Sequence, residues 1–188
     1  DDGYQDFNST QSSNESGDNY PFWWFDDKDK LHVRYTKLCA FLEEPGFYNF
    51  SDNGDRTTKP MIIRSVDGYV QLHSEKSVKN FLKRFISKGS GLDGGEKEVI
   101  LDYFIKLNPK TLGTWIESLS TYSMKSNEDC QSVDILTDNK DECFVPFKNG
   151  VVKISKSNIQ LLSKDALKDE GKIWETSVID HSIDVSEV

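Results

Sequence analysis

MIIRSVDGYVQLHSEKSVKNFLKRFISKG, residues 61 to 89, changes its hydrophobic period once, and that change decides the fold class. Up to Ser74 the apolar residues come in short runs split by Asp67-Gly68, a pair that accepts positive φ at both central positions of a two-residue turn. The reading is a hairpin, with strands over 61 to 66 and 69 to 74. Beyond it Val78, Phe81, Leu82, Phe85 and Ile86 recur at i, i+3, i+4, i+7 and i+8, the stripe of an amphipathic helix that Ser74 or Ser77 can cap. A hairpin running straight into a helix makes the chain α+β.

The face opposite that stripe is basic. Lys76, Lys79, Lys83, Arg84 and Lys88 contribute +5 between residues 76 and 88, with no acid among them. Arg64 adds a cation in the preceding hairpin. Such a face can neutralise phosphates, and a merely solvated helix face is the plainer alternative.

Upstream, PFWWFDDKDKLHVRYTKLCAFLEEPGF, residues 21 to 47, opens on an aromatic cluster and passes into a second amphipathic pattern. Leu31, Tyr35, Leu38, Phe41 and Leu42 are spaced by three and four, and Pro45-Gly46 ends the helix they predict. Phe22 to Phe25 read as a strand or staple packed on the core rather than as a base-stacking platform. Helix, hairpin and helix in this order resemble part of a winged-helix module, so residues 21 to 90 form a winged-helix-like block.

Gly89, Gly91, Gly94 and Gly95 punctuate the join to a second block over 95 to 188. Its first half reads as a helical pair, 95 to 107 and 111 to 122, broken at Asn108-Pro109. Its second half reads as a small antiparallel β-meander: CFVPF, GVVKIS, NIQLLS and finally IWETSVID. Asn149-Gly150 is expected at the centre of the first meander turn, with positive φ at both residues, and Pro146 at a sheet edge.

Charge is distributed unevenly. The net charge is -9, but residues 1 to 29 carry -7 of it, leaving only -2 for the rest. Residues 1 to 20 hold mostly Asp, Asn, Ser and Gly, a composition unable to offset its own ordering entropy, so they read as an acidic tail. It either lies across its own domain through Tyr4, Phe7 and Tyr20 or is ordered by a partner. The chain does not open on Met, as expected of a piece trimmed or processed from a longer one.

Chemistry-bearing motifs are scarce. GxxxxGK[ST], HExxH and GxSxG do not occur, and Cys39, Cys130 and Cys143 lack zinc-ligand spacing. Asp27-Lys28-Asp29 is formally a two-metal carboxylate pair, but it has no downstream partner in the sequence. The acids of residues 128 to 142 lack EF-hand spacing and read as a solvated loop. No apolar run of membrane length is present. The expectation is a protein that is not an enzyme, takes no cofactor or metal, and does not engage a membrane.

DECFVPFKNGVVKISKSNIQLL, residues 141 to 162, with IWETSVID at 173 to 180, resembles the region just before the helicase domain in superfamily 3 primase-helicases of phages, plasmids and large DNA viruses. An aromatic F-K-N-G-V hairpin followed by a Trp-containing strand carries the likeness. Residues 22 to 50 and 61 to 86 are similar to the segment upstream of that hairpin. The family's ATPase and primase motifs are not in this sequence, so the resemblance implies a non-catalytic DNA-binding or linker module. It gives Lys148 a nucleic-acid contact and implies helicase or primase domains, or other phage proteins, as partners. Its setting would be the host cytoplasm or a virion. The alternative is a protein-interaction or structural component of a phage-type assembly, its acidic tail ordered by a partner.

Overall fold

The computed structural model describes residues 22 to 51, 60 to 89, 92 to 124 and 131 to 184. The acidic tail of residues 1 to 20, Gly91 and Cys130 lie outside the described residues.

The aromatic cluster is a strand, as its composition suggests. β1 (Trp23–Phe25) pairs antiparallel with β2 (Leu31–Val33) across an Asp-rich turn. Asp26 builds that turn: its Oδ1 accepts from the N–H groups of Lys28 and Lys30, at 2.9 and 3.0 Å. Asp27 and Asp29 belong to this turn, and Asp29 takes a positive φ of 56°. The helix expected from Leu31 therefore begins only at α1 (Tyr35–Glu43). Leu31 is buried, but from a strand, so its spacing to Tyr35 is coincidental.

β3 (Phe47–Ser51) follows, a strand the sequence reading did not anticipate. β4 (Met61–Val66) and β5 (Tyr69–His73) form the expected hairpin, with Asp67 and Gly68 at φ 50° and 78°. Ser74 then starts α2 (Glu75–Lys88) with a capping box: its hydroxyl accepts from the Ser77 N–H, and the Ser77 hydroxyl accepts from the Ser74 N–H. α3 (Gly94–Lys106) and α4 (Pro109–Trp115) are the expected pair, with Asn108 capping and Pro109 in the first turn.

The second helix of that pair stops early, in a 3₁₀ turn over Ile116–Ser118, and Thr121–Ser123 forms strand β6. The cause is Asn49 on β3. Buried to 3% exposure, it donates its amide to the carbonyls of Ile116, Glu117 and Leu119 at 3.1 to 3.3 Å, taking the acceptors a continuing helix would use.

β7 (Gln131–Ser132), β8 (Glu142–Phe147), β9 (Gly150–Ser155) and β10 (Ile159–Leu162) complete the strands before a short helix, α5 (Leu167–Glu170). β8, β9 and β10 are the expected antiparallel meander, with Pro146 on its edge strand β8. IWETSVID is not its fourth strand. Its one strand is β11 (Ile173–Trp174), which pairs parallel with β5; Glu175–Ser177 turn as 3₁₀ helix, and Ile179 then joins the meander's edge strand through a single parallel bridge to Phe147. The Asn149-Gly150 turn also differs. Phe147 pairs with Gly150, so Lys148 and Asn149 are the two turn residues. Among the described non-glycine residues only Asp29 and Asp67 have positive φ, so Asn149 does not adopt it.

The main sheet has the order β11-β5-β4-β3-β6-β7 and draws strands from both sides of the glycine-rich stretch 89 to 95. One face carries the helices, with Phe22, Leu38, Phe47, Val78, Leu82, Phe104 and Leu112 in one core. Phe50, Ile63, Val70 and Val133 bury the other face. A third cluster of Val151, Leu162, Leu167 and Ile173 fixes the meander against the β5 end of the sheet, where Tyr69 packs on it. The fold is mixed α+β. No described helix is long and apolar enough to cross a membrane.

A candidate cationic cleft

Alternation along the central hairpin sets the floor of a cleft. Arg64 pairs with Gln71, Val66 with Tyr69 and Ile62 with His73, so Arg64, Tyr69, Gln71 and His73 project from the same face. α2 passes over that face and adds Ser77, Asn80, Phe81 and Arg84; the β8–β9 turn adds Lys148, the stretch just past β10 adds Lys164, and the C-terminal segment adds Glu175 and Val178. Together they line an open cleft of about 630 Å³.

Arg64 is held at two points. Its Nε donates to the Pro45 carbonyl at 3.0 Å, and its guanidinium lies 5.3 Å from the Phe47 ring and 5.4 Å from the Phe81 ring. Next to it, the Gln71 amide donates to Glu175 Oε1 at 2.8 Å, which turns the amide oxygen toward His73 Nε2, 3.2 Å away, and makes that nitrogen the donor. Burial, and secondarily the Arg64 charge, hold the His73 imidazole below its ordinary value against the opposing pull of Glu175. The Tyr69 hydroxyl is buried with no hydrogen-bond partner, burial raises its pKa, and the Lys164 ammonium sits 5.3 Å from its ring.

The His73 shift has a measurable sign. Folded His73 binds its proton less readily than an unfolded histidine, so unfolding takes up a proton, and stability falls as pH drops from about 6.5 through the His73 midpoint. Urea unfolding at about pH 7.5 and 5.5 should show a larger loss for the parent than for His73→Gln. Equal losses would remove His73 from this buried position.

Three of the cations singled out in the sequence, Arg64, Arg84 and Lys148, meet in the cleft. Lys76, Lys83 and Lys88 do not line it. Lys79 is turned the other way: its ammonium donates to the carbonyls of Ile105 and Leu107 at 2.8 and 2.6 Å and so caps the C-terminal end of α3. Lys164, Tyr69, Gln71, His73 and Glu175 escaped the sequence reading. Alternation in YVQLH could have placed three of them on one face, but what stands above that face is long-range.

The β8–β9 turn does more than reverse the chain. The Lys148 ammonium is 3.2 Å from Asp180, its N–H donates to the His181 carbonyl, and the Asn149 side chain both donates to and accepts from the Ile183 backbone, at 2.8 and 3.0 Å. The C-terminal segment is thereby laid along the mouth of the cleft. Elsewhere, Trp24 is 39% exposed and stacks on His32, with Arg34 5.8 Å from its ring. His32 bonds Asp26 at 2.9 Å, and that bond, with the two backbone N–H groups, lowers the Asp26 carboxyl to about 2. No group of three or more metal-ligating side chains occurs among the described residues.

No protein-family model, curated protein or solved structure matches this chain.

Proposed function

We propose that this chain is a non-catalytic nucleic-acid-binding module, of the kind that links or positions helicase and primase domains in phage-type replication proteins. The observation that carries the reading is the cleft: Arg64, Arg84, Lys148 and Lys164 converge there, with Asp67 and Glu175 in its lining and Asp180 beside Lys148, in a chain of net charge -9. Concentrating cations in one concavity of an acidic protein raises the local concentration of a polyanion there. A winged-helix-like use of the first block would make the β4–β5 hairpin a wing. That hairpin is flanked by β3 and β11, so the contact is assigned to the cleft instead.

A fluorescein-labelled oligonucleotide titrated at several salt concentrations tests this. If all four cations meet phosphates, the log-log slope should be about -3 to -4, and Arg84→Gln and Lys164→Gln should each reduce its magnitude by about one. Lys76→Gln and Lys83→Gln should change it less. A larger effect at Lys76 and Lys83 would move the contact to the open helix face, and no binding at about 50 mM salt would remove the nucleic-acid reading.

The second reading, a protein-interaction component, has its own observation. The register Cys143↔Ile154↔Ile159 and Val145↔Val152↔Leu161 puts an uncharged row on the meander face turned away from Val151 and Leu162. Ile154 and Ile159 are exposed there. That face becomes the better guide to function if the oligonucleotide does not bind.

A further inference from the structure

Resting on the cleft that the nucleic-acid reading uses, we infer that residues 1 to 20 of this chain are its occupant in the absence of a ligand, an acidic segment that an incoming nucleic acid must displace. The two are complementary in charge. Residues 1 to 20 hold Asp1, Asp2, Asp6, Glu15 and Asp18 and not one Lys, Arg or His, so the segment is itself a polyanion. The cleft gathers Arg64, Arg84, Lys148 and Lys164, and both lysines are exposed. A carboxylate of this chain is already received there, since Asp180 lies 3.2 Å from the Lys148 ammonium.

Reach follows from where the described chain begins. The Phe22 ring is 4.8 Å from that of Phe41, which is 6.4 Å from that of Phe81, a lining residue of the cleft. The chain thus starts two ring contacts from the cleft wall. Twenty residues of Gly- and Ser-rich chain average about 25 Å end to end and stretch to on the order of 70 Å, so the acids can reach the cations. Tethering does the rest. A short flexible tether gives an effective concentration of about 1 mM, so an intrinsic affinity of only about 0.2 mM would fill the cleft most of the time and weaken a competing ligand about sixfold.

The test has two arms, and the first needs no nucleic acid. A water-soluble carbodiimide joins carboxylates to lysine amines in contact, and mass spectrometry of the monomer fraction of the whole chain reads which pairs are joined. In about 20 mM salt the acids of residues 1 to 20 should be joined chiefly to Lys148 and Lys164, and those adducts should fall severalfold in about 0.5 M salt, where charges are screened within a few ångström. Adducts chiefly at Lys76, Lys83 and Lys88, or none from residues 1 to 20, overturn the inference. The second arm titrates a labelled oligonucleotide into the whole chain carrying Asp1→Asn, Asp2→Asn, Asp6→Asn, Glu15→Gln and Asp18→Asn together. It should bind about three- to tenfold more tightly than the parent in low salt. Adding Lys164→Gln should shrink that gain, whereas simple repulsion between the segment and the oligonucleotide would leave it whole. Parent-like affinity of the neutralised chain, or a gain untouched by Lys164→Gln, overturns the competition. An oligonucleotide that binds neither chain removes the nucleic-acid reading, and the first arm still decides whether residues 1 to 20 fill the cleft.

Discussion

Gly46→Ala is expected to destabilise the protein by about 3 to 5 kcal/mol, a large fraction of the total stability of an ordinary domain. Gly46 ends α1 with φ 91°, a conformation costly for any residue with a Cβ. Space is the second constraint. A Cβ there would lie 2.2 Å from the Ser65 carbonyl oxygen, and Ser65 cannot easily withdraw because its N–H donates to the Gly46 carbonyl at 2.8 Å. Relief requires β3 and β4 to part where Phe47 pairs with Arg64, so the strain would reach the seat of the cleft arginine. Thermal unfolding followed by circular dichroism should show a midpoint lowered by about 10 °C or more. A midpoint within about 2 °C of the parent would mean that this register is wrong.

Local chemistry explains which elements were readable. Asp67-Gly68 fixes a turn by backbone preference alone, Ser74 and Ser77 cap α2 by reaching three residues, and Asn108-Pro109 starts α4 within one turn. None of these needs a distant partner. The missed strand pairings are long-range. β3 and β6 pair in parallel although about seventy residues separate them, and β11 reaches β5 from a hundred residues away. Strands of two or three residues carry too little periodicity to be seen, and parallel pairing leaves no turn signature. Asn49 stops a helix sixty-seven residues downstream, which no local pattern encodes.

The same division runs through the site. Composition picks out cations but not where they point. Lys79 and Arg84 stand on one helix, yet Lys79 is bonded to carbonyls of α3 and Arg84 faces the cleft. Lys164 enters the site only because β10 brings it beside Tyr69. Periodicity could separate the faces of α2, but not say which face meets a neighbour.

Gly150→Val is expected to cost about 3 kcal/mol or more and to strip the cleft of half its cations. Glycine is needed here, though not for the turn geometry its sequence suggests. Lys148 and Asn149 make the turn, while Gly150 opens β9 at φ 157°, with a would-be Cβ only 2.3 Å from the Leu162 carbonyl oxygen and 3.1 Å from the Leu161 side chain. A β-branched residue must push β10 away from β9. Leu162 is then pulled from the cluster it shares with Val151, Leu167 and Ile173. Lys148 lies in the adjoining turn and Lys164 just past β10, so both cleft cations supplied by the meander lose their places, while Arg64 and Arg84 keep theirs. The salt slope of oligonucleotide binding should therefore fall by about two even where the main sheet remains folded. Lys148→Ala separates charge from architecture: its ion pair with Asp180 is exposed, with side chains 67% and 89% accessible, so stability should barely change while the slope falls by about one. If Gly150→Val instead melts like the parent and keeps the full slope, the close approach of β9 to Leu162 is not real, and the meander cannot be what places Lys148 and Lys164 in the cleft.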